Sequence, residues 1–229
     1  MNKKTKIVCT MGPSTDTLEM VESLLRAGMN VARFNFSHGS HEEQAKRMEL
    51  VRLASTRTGI PVALMLDTKG PEIRLGLFKE GKVCLEEGQA FTLTTREVEG
   101  TKEICSVNHV GLPEDVKEAK QILLSDGLVT LRIDSIEGTE IHTTVMNTGM
   151  MSNRKRVAVP GVSLSLPPVS EQDEKDLLFG CDMGVDYVAA SFMQRASDVV
   201  AIRRILESKG ADIRIISKIE NEEGLHNLD

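Results

Sequence analysis

The amino-acid sequence predicts an α/β fold in which parallel strands alternate with helices and a small antiparallel β domain interrupts the series. Three observations carry that prediction. Short apolar runs alternate with helical patterns up to residue 66, the alternation resumes at residue 187, and residues 75–166 change to short runs split by glycine. The first texture builds parallel sheets with right-handed crossovers, and the second builds antiparallel β structure.

Ile7-Val8-Cys9-Thr10-Met11 reads as a short buried strand stopped by Gly12-Pro13. Residues 14–16 offer caps for a helix in which Leu18, Val21, Leu24 and Leu25 recur at helical spacing, and Gly28 is placed to end it. A second strand covers 30–36. Ser40-x-x-Glu43 is a capping box opening a helix to about residue 58, and Gly59 and Pro61 close that unit. A third strand covers 62–66. The next strand of this type is 187–192, followed by a helix opened by Ser197 and ended by Gly210, with Val199, Ile202, Ile205 and Leu206 on one face. A strand at 213–219 then restores the period.

The gap holds an insertion whose strands are expected at 82–85, 90–94, 121–124, 128–133 and 140–145, a barrel or sandwich pattern. Pro71 and Pro167-Pro168 bracket it as hinges. The expected division is 1–71 for the first part of the β/α series, 72–167 for the inserted β domain, and 168–229 for the continuation. A β domain inserted at a strand's carboxyl end is well placed to act as a lid. Five strands cannot close a barrel, which needs eight. The chain is therefore either an open doubly wound sheet or part of a barrel, and the helix-like start at 221–229 favours a part.

Of the 229 residues, 40% are hydrophobic and 27% charged, but only 3% are aromatic and none is Trp. The core must be aliphatic, which suits a buried parallel sheet. Acidic residues outnumber basic ones, 34 to 28, giving a net charge of −6. That excludes a general attraction to nucleic acid or acidic membranes, so any bound phosphate needs a local positive cluster. Cys9, Cys84, Cys105 and Cys181 form no C-x-x-C pair, which argues for reduced thiols in a cytoplasmic protein. No apolar stretch approaches a signal segment or a membrane span.

Chemistry concentrates where the strands end. In Arg33-Phe34-Asn35-Phe36-Ser37-His38-Gly39, a period of two puts Arg33, Asn35 and Ser37 on one face and both Phe on the other. A guanidinium, an amide and a hydroxyl suit a phosphate or an oxygen-ligated cation. The alternative is a solvent-facing strand end with a capping Ser. The third strand ends Asp67-Thr68-Lys69-Gly70-Pro71-Glu72-Ile73-Arg74. A carboxylate there is costly unless it meets a cation, and with Asn35, Ser37 and Thr68 it offers only hard oxygens, which select Mg²⁺, Ca²⁺ or K⁺ over zinc. Pairing of Asp67 with Lys69 or Arg74 is the plain alternative.

Lys218 and Glu220 project to one side of an otherwise apolar strand. Such a Lys can stabilise a transferring phosphoryl group and such a Glu can hold a metal, although a structural ion pair also fits the spacing. Arg154-Lys155-Arg156 is either a phosphate contact or solvated surface. His41, His109, His142 and His226 are expected at the surface, without metal spacing. Gly12-Pro13-Ser14 lacks the further glycines and Lys of a P-loop or dinucleotide fingerprint.

At these motifs the chain resembles the pyruvate kinase family. The matching stretches are 5–14, 27–39, 66–74, 185–192 and 216–221, in order from the first residues to the last. The resemblance implies an incomplete TIM-type (β/α)8 barrel, about five of eight strands, with an inserted small antiparallel β-barrel domain. It implies phosphoryl transfer from phosphoenolpyruvate to ADP in glycolysis, with Mg²⁺ and K⁺, no nucleic acid or membrane partner, and a full-length homotetramer. Arg33 would bind substrate phosphate. Asn35, Ser37, Asp67 and Thr68 would coordinate K⁺, and Asn35, Phe36, Ser37 and His38 would border the nucleotide. Arg74 and Lys155 would contact ATP phosphates, Lys218 would stabilise the transferring group, and Glu220 would ligate Mg²⁺.

The sequence departs from the family pattern at Lys155-Arg156-Val157-Ala158-Val159-Pro160-Gly161, usually Lys-Gly-Val-Asn-Leu-Pro-Gly, and at Ser125-Asp126-Gly127, usually Asp-Asp-Gly. The strand carrying the second Mg²⁺ carboxylate, the later substrate-binding Thr and the regulatory domain are missing, so this chain is expected to be inactive alone. Two other classes stay open: a Mg²⁺-dependent barrel lyase or aldolase of a pyruvate-like acid, and a non-catalytic ligand-binding fragment.

Overall fold

The structure, a computed structural model, describes residues 4–162 and 164–228. The chain divides into two compact units, Met1–Pro71 with Pro168–Asp229, and Glu72–Pro167. The first unit opens with β1 (Ile7–Met11), α1 (Leu18–Ala27), β2 (Met29–Asn35), α2 (His41–Thr58) and β3 (Ala63–Asp67). The second contains β4 (Ile73–Arg74), β5 (Lys82–Leu85), β6 (Ala90–Thr94), β7 (Ile104–Ser106), α3 (Leu112–Asp115), β8 (Gln121–Leu124), β9 (Val129–Glu137), β10 (Glu140–Val145), β11 (Gly149–Ser152) and β12 (Arg156–Ala158). The first unit then resumes with α4 (Glu171–Asp182), β13 (Tyr187–Ala190), α5 (Ala196–Ser208), β14 (Arg214–Ser217) and α6 (Glu222–His226).

Local chemistry sets the helix ends. Thr17, not residues 14–16, caps α1, because Pro13–Thr15 is spent in a 3₁₀ turn, and Gly28 closes the helix in the left-handed region. Ser40 and Glu43 form the expected reciprocal box at the start of α2. Helix α5 is capped at Arg195, two residues before the expected Ser197, because the Asp198 carboxylate accepts the backbone N–H groups of Gln194 and Arg195.

The first unit is a five-stranded sheet in the order β1-β2-β3-β13-β14, parallel throughout. Alternate positions Ala32, Phe34, Leu64, Leu66, Val188 and Ala190 share one core with Val21 and Leu25 of α1, Met48 and Val51 of α2, Leu177 of α4 and Ile202 of α5. Helices α1, α2, α4 and α5 therefore cover the same face. A doubly wound sheet would place helices on both faces. One-sided winding instead makes this an incomplete β/α barrel, whose other face carries Arg33, Met65, Asp67, Ala189 and Ser191.

The second unit is built on a seven-stranded sheet, β4-β12-β8-β9-β10-β6-β7, beside the pair β11-β5. Its ladders are antiparallel except β6 with β7, which run parallel because the intervening loop returns past Phe78 through a Phe78–Gly100 bridge. Leu75 bridges Val107, with Gly76 N–H donating to Ser106 O at 2.7 Å. The core is aliphatic around Phe91 and Phe78, and it also holds Cys105, whose thiol burial pushes up to about 11. Among the described residues, no helix is long and apolar enough to cross a membrane.

Candidate active site at the strand ends

Strand register gathers the polar residues of the helix-free face. Thr10 lies opposite Arg33, Asn35 opposite Asp67, and Asp67 opposite Ala189. Asp67 is the centre, 2% exposed. Arg33 Nε donates to its Oδ2 at 2.6 Å, and the guanidinium also makes a close ion pair with that oxygen. Arg33 Nη1 donates to Thr10 Oγ1 at 2.7 Å. Lys218 Nζ donates to Asp67 Oδ1 at 2.9 Å and to Ser191 Oγ at 2.8 Å. The buried carboxylate thus meets two cations, which is what makes its burial tolerable. Its partners are not Lys69 or Arg74. The Arg33 and Lys218 side chains remain 30% and 29% exposed while Asp67 is covered, so a solvent-borne anion reaches the cations and not the carboxylate.

Lys218 also stands 3.6 Å from Glu220 Oε1, and Glu220 Oε2 accepts the Phe192 N–H at 3.0 Å. Phe192 has φ 58, a left-handed conformation that costs a bulky residue about 1–3 kcal/mol and persists only where its surroundings impose it. Gly70 sits beside it at φ 72, and a Cβ there would lie 2.8 Å from Ser191 Cβ and from Phe192 Cδ2. Only glycine fits.

The remaining oxygens are ordered by short-range bonds. Asn35 Oδ1 accepts the Ser37 N–H at 3.0 Å, and Gln44 Nε2 ties the carbonyls of Asn35 and His38. Thr68 is 5% exposed, and its Oγ1 accepts the Ser191 N–H at 3.0 Å. Beside them lies an open cavity of about 510 Å³ lined by Phe36, Ser37, His41, Lys69, Lys175 and Asp176 among others. His41, expected at the surface, has a side chain 34% exposed and is also stacked on Phe179 at 4.3 Å and bonded to buried Asp176 at 2.6 Å. His109, also expected outside, is 8% exposed and paired with Asp115, because that carboxylate needs the ring to be buried.

In the second unit Arg74 is held by Glu72 and donates to Arg154 O at 2.9 Å, while Lys155 is exposed. Ser191 and Thr10 belong to the cluster but were not among the candidates read from the sequence. Ser191 carried the same signal as Asp67, a polar residue ending a buried apolar strand.

A one-sided parallel sheet with cations and carboxylates gathered at its strand ends defines an incomplete β/α barrel with a candidate site on its carboxyl face. The family model for the pyruvate kinase barrel domain matches residues 2–229. The chain is 49% identical to a pyruvate kinase of Geobacillus stearothermophilus, covering 100% of this chain and 40% of the relative. It is 49% identical to one of Staphylococcus saprophyticus and 48% to one of Sporosarcina psychrophila, each over 99% of this chain and 39% of the relative. The chain therefore belongs to the pyruvate kinase family and spans about 40% of the length of these curated relatives.

Proposed function

We propose that these residues serve phosphoryl transfer from phosphoenolpyruvate to ADP, giving pyruvate and ATP in glycolysis. The observation that carries this is the pair of half-exposed cations, Arg33 and Lys218, fixed on opposite oxygens of one buried carboxylate. Phosphoryl transfer demands positioning and charge neutralisation more than covalent chemistry. Arg33 presents its planar fork to the substrate phosphate. Lys218, held on two acceptors, offers its remaining proton to the transferring group.

Asn35, Ser37, Asp67 and Thr68 supply amide, hydroxyl, carboxylate and carbonyl oxygens, a donor set that suits K⁺. Glu220 would hold Mg²⁺ in this stretch, and Mg²⁺ characteristically leaves positions for substrate oxygens. Bound there, the metal would neutralise phosphoryl charge. Asn35, Phe36, Ser37 and His38 border the nucleotide, with Arg74 and Lys155 as phosphate contacts, which requires Arg74 to release Glu72. Residues 72–167 act as an inserted lid domain, a small β barrel; the isolated Leu75–Val107 bridge, one residue past β4 and β7, supports this reading. The whole enzyme is cytoplasmic and homotetrameric in this proposal.

A coupled assay with phosphoenolpyruvate, ADP, Mg²⁺ and K⁺ tests it. Lys218→Met should lower kcat by at least about 10²–10³ in the protein carrying this chain. Unchanged turnover sinks the mechanism.

A further inference from the structure

We infer that Ser191 is a positioning residue for Lys218, an inference that rests on the function just proposed. Ser191 follows β13 and is 2% exposed. Its single hydroxyl proton is spent on the carbonyl of Thr68, with Asp67 Oδ1 at 3.4 Å as the weaker acceptor. That leaves a lone pair of the oxygen to receive Lys218 Nζ at 2.8 Å. The Ser191 N–H donates to Thr68 Oγ1 at 3.0 Å, so the residue is fixed by main chain as well as side chain.

The position matters because Lys218 has a competing partner. Glu220 Oε1 lies 3.6 Å from Nζ, a third acceptor beside Asp67 and Ser191. A lysine chain has four rotatable bonds, and a single carboxylate does not fix its ammonium. With two acceptors, Asp67 Oδ1 and Ser191 Oγ, two of its three protons are assigned and the direction of the third is set. Gly70 packs against this corner: a Cβ there would lie 2.8 Å from both Ser191 Cβ and Phe192 Cδ2, so no larger residue fits beside Ser191. Removing the oxygen frees the ammonium to move toward Glu220 and takes it off the line of the transferring group.

Two measurements test this. Lysine-selective ¹H–¹⁵N NMR of the protein should give Lys218 a hydrogen-bonded ammonium signal with slow proton exchange, and Ser191→Ala should abolish it while the backbone amide spectrum stays folded. An unaltered signal overturns the assignment without any reference to activity. In the coupled assay, Ser191→Ala should lower kcat at least about tenfold with little change in KM, and should have no further effect on a Lys218→Met background. An equal loss in both backgrounds identifies a structural residue and overturns the proposal. A protein with no turnover before any substitution sinks the proposed function, and the ammonium signal then decides Ser191 alone.

Discussion

Asp67 is the residue on which the site balances. Both of its oxygens are taken by cations, Oδ2 by Arg33 and Oδ1 by Lys218, and the carboxylate itself is buried. Removing it leaves two positive groups facing each other across the gap. Asp67→Ala should destabilise the first unit by about 3–5 kcal/mol, the range for breaking a buried pair from one side. Urea unfolding checks this, and a loss below about 1 kcal/mol would mean that the cations find other partners. In the second unit Glu140 has a cleaner pH signature. Arg96 donates to its Oε1 at 2.9 Å, and Thr94 and Thr139 donate to the same oxygen at 2.7 and 2.8 Å. These bonds hold its carboxyl down to about 2 from the ordinary 4.5. A lowered folded-state value means that its stabilisation is complete above pH 4.5 and is lost as the pH falls toward 2. Glu140→Gln should flatten the stability profile of the second unit across that window, and parallel profiles for both proteins would refute the assignment.

Helix α4 joins the strand series to the site through its first turn. Ser170 and Asp173 cap it reciprocally, and Asp173, 2% exposed, also accepts the Gly70 N–H at 3.0 Å. Losing that carboxylate removes the reciprocal half of the capping box and orphans the Gly70 donor. Asp173→Ala should therefore cost about 2–4 kcal/mol, read from the urea midpoint at unchanged slope. This helix was not legible from apolar spacing, because its first two turns are polar and it buries Asp173 and Asp176 as well as Leu177 and Gly180. The only sequence signal was the Ser-x-x-Asp cap. Strands of the first unit were legible to within about two residues at each end, since uninterrupted aliphatic runs leave few alternatives. The missed strands, Ile73–Arg74, Ile104–Ser106, Gly149–Ser152 and Arg156–Ala158, have two to four residues each, too few to show a period. They exist because neighbouring strands offer them hydrogen bonds. The same limit applied to Ser191: its polarity was visible, but its partnership with Lys218 depends on how β13 and β14 register.

At the scale of the whole molecule, β1 and β14 end the five-stranded sheet with no further strand beside them among the described residues, and their composition distinguishes them from ordinary surface. On β1, Ile7 and Val8 are 40% and 48% exposed; at the other edge, Ile216 and Ile219 are each 41% exposed. The central strands β3 and β13 are almost entirely buried. Natural edges in contact with water are usually blunted by charge, proline or bulges, and flat apolar edges invite pairing with another chain. These edges carry exposed aliphatic side chains. The 229-residue polypeptide should therefore associate in a concentration-dependent way when prepared alone, visible as rising weight-average mass in sedimentation. Val8→Lys with Ile216→Lys should reduce that association without unfolding either unit. The coupled assay on the same preparation should give no turnover, because the face that carries Arg33 and Lys218 is lined by only five strands where a closed barrel supplies eight. A monodisperse monomer that turns over phosphoenolpyruvate would refute both expectations together. It would show that an open, one-sided sheet can hold the Arg33–Asp67–Lys218 cluster rigidly enough for catalysis.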